Sequence, residues 1–238
     1  MARKLYFIII AVLAAGVIYF VIHRYAKRPE APVSIEVVKE FQFSKEDALR
    51  EWEEKIFKGK VLYKISSGDY DSFVLATSEG TASALYYKIR LDMGKKPVIS
   101  WKWNAKKFPV KDGPESLADS KKDDFAARVY VIFPAGFFIN TRAIEYVWTE
   151  RIEEGTTAAS PYSENLRLIV AECGKKADAE WIQEERDIYR DYVAAFGEEP
   201  RYSIGAVAFM TDADSTQSFA EAFYDDIKLG YRVEEARQ

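Results

Sequence analysis

Two carboxylates two residues apart, Asp212 and Asp214, stand in the run Thr211-Asp212-Ala213-Asp214-Ser215-Thr216. With hydroxyls beside them they offer the hard oxygen ligands that Ca²⁺ prefers. Asp225 and Asp226 would join them if the last strand pairs nearby, completing a structural Ca²⁺ site. The spacing is not that of an EF-hand loop, which needs Gly at its sixth position and Glu at its twelfth. The competing reading is an ordinary turn, since Asp, Ser and Thr bond to their own backbone.

A second set joins Asp123, Asp124 and Arg128 with Arg186, Asp187, Arg190 and Asp191. Arg128 lies mid-strand among apolar neighbours, where an unpaired charge is costly, so a carboxylate partner is expected. Asp187 and Asp191 are four apart, as are Arg186 and Arg190, so on a helix opposite charges fall in adjacent rows. Such a set is either an ion-pair network tying a helix to a sheet or the polar lining of a sugar or anion cleft. Paired carboxylates also run glycoside hydrolysis, at separations that a sequence does not supply. The third set is aromatic: Trp101 and Trp103 share one strand face, and Tyr146 and Trp148 share another. On an open face these rings would stack on sugars; facing inward they fill a core. The candidate ligand-binding residues are therefore Trp101, Trp103, Arg128, Trp148, Arg186, Asp187 and Asp191. The candidate metal ligands are Asp212, Asp214, Asp225 and Asp226.

Other chemistries are excluded by composition. His23 is the sole histidine and Cys173 the sole cysteine, so a disulfide within the chain cannot form. Serine–histidine catalysis and histidine metal sites are absent from the folded part. Neither a G-x-S-x-G elbow nor a phosphate-cradling glycine loop is present.

The elements that must position these residues begin with an apolar run, Leu5 to Ile22, of 18 residues without a charge. A helix of about 20 residues crosses a bilayer core of about 30 Å, so this run is long enough to span. Arg3 and Lys4 flank one end; His23, Arg24, Lys27 and Arg28 flank the other. A cleaved signal peptide usually has a shorter apolar region and a small-x-small site, so a retained anchor fits better. The expected organisation is a membrane anchor with basic flanks over 1–28, a tether over 29–34 and a single β-sandwich over 35–238. The anchor would place the chain in the cytoplasmic membrane as a single-pass protein, with the domain on the extracytoplasmic (periplasmic) side. Residues 1–28 hold five basic residues and no acidic ones, leaving 29 basic against 38 acidic, a net charge of −9, for the rest. A domain so acidic repels nucleic acid. The basic collar suits anionic headgroups instead.

Within the domain, Ser44 to Lys58 reads as a capped helix with Leu49, Trp52 and Ile56 in a stripe and Gly59 at its end. Strands are expected at 35–38, 61–66, 73–77, 83–91, 97–104, 125–133, 143–149, 165–171, 202–210 and 219–229, from alternation and flanking turn residues. A polar loop spans 105–124, long enough to be functional or mobile. Residues 183–196 switch to helical period. The pattern specifies a mainly β fold, an antiparallel two-sheet jelly-roll-like sandwich with two short helices, preceded by one N-terminal transmembrane helix.

The segments PVISWKWN, DDFAARVYVIF, IEYVW, EERDIYRDYVAAFG, IGAVAFMTDADST and AFYDDIKLG together resemble the bacterial family known as domain of unknown function 3047. That resemblance implies no assigned reaction. The closing FYDDIKL is also similar to the last strand of galactose-binding-like sandwiches, including carbohydrate-binding modules, where it lies near a structural calcium. Three functions follow as expectations. The first is a glycan or envelope-component binding module. The alternatives are a hydrolase using Asp and Arg side chains and a structural protein-interaction domain.

Overall fold

The computed structural model describes residues 35–68, 72–136, 140–177 and 180–233. The expected anchor and tether lie outside the described residues. Among the described residues, no helix is long and apolar enough to cross a membrane.

Period-two alternation dominates the chain, and the structure is correspondingly two stacked sheets. In chain order the elements are β1 (Ile35–Phe41), β2 (Glu53–Lys58), β3 (Leu62–Ser67), β4 (Ser72–Glu79), β5 (Ala82–Leu91), β6 (Pro97–Lys107) and β7 (Ala127–Phe133). There follow β8 (Arg142–Thr149), β9 (Thr157–Ser160), β10 (Ser163–Cys173), β11 (Ile182–Asp187), helix α1 (Ile188–Phe196), β12 (Ile204–Asp212) and β13 (Phe219–Arg232). One sheet has the order β11-β6-β13-β4-β3, with β1 also on β13; the other runs β2-β5-β12-β7-β8-β10-β9. The β8–β10 pair is parallel, so the seven-stranded sheet is mixed.

The core lies between the sheets. On β7, Ala127, Val129, Val131 and Phe133 point into it, against Trp101 and Trp103 of β6 and Tyr224 of β13. The alternate residues Arg128 and Tyr130 therefore point to the outer face of the seven-stranded sheet. A second, smaller core forms on that outer face, where Leu117 and Phe125 of the 105–124 loop region pack on Val147, Leu168 and Val170. The long polar loop is thus held down onto the sheet by Leu117 and by Phe125 just past its end, with its own Lys111–Glu115 ion pair buried.

Two helical expectations are corrected. Residues 44–58 form only a 3-10 turn at Ala48–Glu51 before β2 pairs with β5. Trp52 enters the core beside Phe41 and Phe209, while Ile56 is exposed, because the stripe was built from a turn and an edge strand. Residues 182–187 are likewise strand, paired with β6, and only Ile188–Phe196 is helical. In both places tertiary pairing overrides the helix preference of Glu, Lys and Arg. Among the described residues α1 is therefore the one α-helix.

Candidate functional site

The aromatic set is core. Trp101, Trp103 and Trp148 are each 0 % exposed. Trp101 meets Trp103 edge-on at 5.2 Å, and Trp103 lies 5.5 Å from Trp148. No sugar can stack on rings held between two sheets, so these three do not form a binding platform. The alternation of PVISWKWN was read correctly, but alternation does not say which face is inside.

Around this aromatic floor β8, β11 and α1 assemble an inner ionic cluster. Arg186 leaves β11 toward the inter-sheet space and donates twice to Asp191, at 2.9 Å from Nε and 2.9 Å from Nη2. Tyr146 donates its hydroxyl to Asp191 Oδ2 at 2.8 Å, and the guanidinium carbon lies 5.3 Å from the Tyr146 ring. Burial works against the charge of Arg186, but the Asp191 hydrogen bonds outweigh it and hold the guanidinium above its usual range. Glu184, directly across from Trp101, is pushed up to about 7 by burial, with Arg186 opposing. The indole N–H of Trp101 has no hydrogen-bond partner among the described residues. Asp187 is not part of this cluster: it caps α1, accepting from the Arg190 N–H at 3.0 Å.

The outer ionic cluster is built on Arg128. Its Nε and Nη2 donate to Asp212 at 2.8 and 2.6 Å, Nη1 donates to Glu145, and Nη2 also reaches the Asp123 carbonyl. The Phe125 ring covers the guanidinium at 4.6 Å. Burial opposes the charge of Arg128, and Asp212, Tyr130 and Glu145 more than restore it. Glu145 is pushed up to about 7, since burial exceeds what Arg128 returns. The expected carboxylate partner exists, but it comes from Asp212 and Glu145 rather than mainly from Asp123 and Asp124.

The metal expectation meets an unsuitable donor set. Carboxylate oxygens of Asp124, Asp212 and Asp214 do lie within 4.8 Å of one another. Yet Asp124 spends both oxygens on the Ser215 and Thr216 N–H groups, at 3.1 and 2.6 Å. Asp212 is engaged by Arg128 and by the Phe125 N–H. A Ca²⁺ ion would have to displace a guanidinium and three backbone donors to reach them. Asp225 and Asp226 stand apart from this trio. Asp226 lies at a β-bulge with φ of 50° and pairs with Lys102 at 2.6 Å. The Asp-Asp pair is explained by that bulge, since Asp tolerates positive φ better than most residues.

An open cleft lies elsewhere, at one end of the outer face. Its volume is about 540 Å³, and its walls include Lys88, Arg90, Pro134, Arg201, Tyr202 and Gly205. A bulge in β5, between the partners of Ile204 and Ala206, turns the chain at Ile89–Arg90. Gly205 lets Pro134 close the wall: a Cβ there would fall 2.3 Å from Pro134 Cγ. Tyr202 is 42 % exposed. None of these residues was singled out from the sequence. They come from three separate segments, and no spacing links them.

The family of proteins of unknown function designated DUF3047 matches residues 50–228. The chain belongs to this family. Both ionic clusters and the cleft lie within the matched residues. No curated protein matches the sequence. Similar solved structures include a carbohydrate-binding module recognising mannan, TmCBM27, at 7 % identity and a TM-score of 0.39, over 84 % of this chain and 99 % of that one. The xyloglucanase domain of NopAA from Sinorhizobium fredii has 11 % identity and a TM-score of 0.41, over 86 % and 100 %. The active domain of bacteriophage CBA120 tailspike protein 4 has 8 % identity and a TM-score of 0.42; the match covers 80 % of this chain but only 20 % of the tailspike. At these scores the likenesses carry no argument about function.

Proposed function

We propose that this DUF3047 protein is a jelly-roll-like binding module, tethered to the cytoplasmic membrane by residues 5–22, that holds an envelope glycan outside the membrane. The observation that carries the reading is the cleft of about 540 Å³ with an exposed Tyr202 in its wall. Saccharide sites combine one or two exposed ring faces with a few polar groups, in cavities of about 300–1,000 Å³. Trp101, Trp103, Tyr146 and Trp148 are locked in the core, whereas Tyr202 stands exposed in the cleft wall, where a pyranose can cover it. The uncharged run of residues 5–22, with its basic flanks, supports the tether.

The test is affinity electrophoresis of the full chain in detergent through gels containing purified peptidoglycan fragments, dextran or polygalacturonate. Retardation by at least one polymer, lost in Tyr202→Ala, is the expected result. Unchanged mobility in every gel overturns the reading.

A hydrolase is the second reading, and one observation favours it. Glu184, on the strand face it shares with Trp101, is pushed up to about 7 by burial, and a carboxyl that titrates near the working pH suits a general acid. Release of reducing sugar from the same polymers, abolished in Glu184→Gln, would establish it; release that persists in that variant would remove it.

A further inference from the structure

We propose that the cleft takes an anionic sugar, one bearing a carboxylate or a phosphate, and that Arg90 reads the charge. This deepens the glycan reading and rests on it. The residues lining the cleft include Lys88, Arg90 and Arg201 and not one acid. That is a local reversal in a region, residues 29–238, holding 29 basic and 38 acidic residues.

The three cations are not equivalent. Lys88 is held from one side by Glu53 at 2.8 Å, and Arg201 leans on Glu198 at 3.3 Å. Arg90 is exposed, and among the described residues no carboxylate pairs with it. It also lies within the β5 bulge, and bulges commonly re-aim a side chain beside a site. A guanidinium presents parallel N–H groups that match the two oxygens of a carboxylate or phosphate, which an ammonium does not. Tyr202 then covers the sugar ring while Arg90 takes its charged substituent, with Lys88 and Arg201 keeping the local potential positive.

The experiment compares matched probes on the full chain in detergent. Polygalacturonate is set against its methyl ester, and a phosphomannan against unphosphorylated mannan. The charged member of at least one pair should retard the protein while the neutral member does not. Arg90→Glu should lower that affinity roughly tenfold or more without moving the Tm. Raising salt from about 0.1 to about 1 M cuts the screening length from about 10 to about 3 Å and should release the protein. Equal retardation by the neutral polymers, unaffected by Arg90→Glu, overturns the anionic inference and leaves the glycan reading standing. No retardation by any polymer overturns both. Displacement of bound polymer by short-chain phosphatidylglycerol but not by galacturonate oligomers would make the cleft a lipid-headgroup site and overturn the sugar.

Discussion

The two arginines among the candidate ligand-binding residues lie in different sheets, Arg128 on β7 and Arg186 on β11, and are solved differently. Arg128 on the outer face is surrounded by Asp212, Glu145 and the Asp123 carbonyl, with Phe125 closing over it. Arg186 on the inner side has one carboxylate partner, Asp191, and keeps 28 % of its side chain exposed. The first is a sealed network in which every donor is used. The second is open at a sheet edge and sits beside a carboxyl poised near neutrality. A buried charge with several partners organises a fold, whereas a half-exposed one with a titrating neighbour keeps the capacity to respond.

The comparison breaks most sharply by substitution. Arg128→Met leaves Asp212 and Glu145 buried without a counter-charge and should cost about 3–5 kcal/mol, enough to threaten folding. Arg186→Met should cost roughly 1–2 kcal/mol, because water reaches Asp191. Urea melts of both variants check the ordering; equal losses would erase the distinction.

A pH profile comes next in size. Glu145 and Glu184 are each raised in the folded state to about 7 from the ordinary 4.5. The folded protein therefore binds their protons more tightly than the unfolded chain. Their contribution is full below about 4.5 and is lost as pH climbs through about 7, so stability should fall across that window. The Tm should drop by several degrees between pH 5 and 7.5, and Glu145→Gln together with Glu184→Gln should flatten the slope. A Tm that rises over this range would show that both carboxyls are ionised throughout.

Smaller still is Asp187→Ala, which removes the cap of α1 and should cost about 1 kcal/mol without changing either arginine's surroundings. The smallest effect expected is that of EDTA. Because a guanidinium and backbone N–H groups already fill the Asp124–Asp212 oxygens, chelation should leave the Tm unchanged. A fall restored by Ca²⁺ would make the outer cluster a metal site after all.

Much of the architecture was legible because half-buried strands write their burial into the sequence. Of FAARVYVIF, residues 127–133 form β7 with Ala127, Val129, Val131 and Phe133 inward, while Phe125 precedes the strand and packs on the outer face. The segments EEKIFK and IQEERD were illegible for the opposite reason. β2 is an exposed edge strand and β11 an edge strand of the other sheet, so neither needs a full apolar face. Charged residues on such edges discourage pairing with other chains, and they also imitate helix composition. Of the sites, the need of Arg128 for a carboxylate followed from its neighbours, but its partner at Asp212 lies 84 residues away. Trp101 and Trp103 could not be placed inside or outside without the second sheet. Lys88, Arg90 and Tyr202 carry no local pattern at all.

The first strand of the sandwich is hydrogen-bonded to the last. β1 pairs with β13 from Ile35 opposite Arg232 to Phe41 opposite Ile227, and Gly230 is the residue that lets the Glu36 carbonyl approach. During synthesis β1 must therefore wait, unpaired, for almost two hundred residues until its partner emerges. Such sequence-distant pairings slow folding. A premature stop before β13 would deprive β1, β4 and β6 of a neighbour at once.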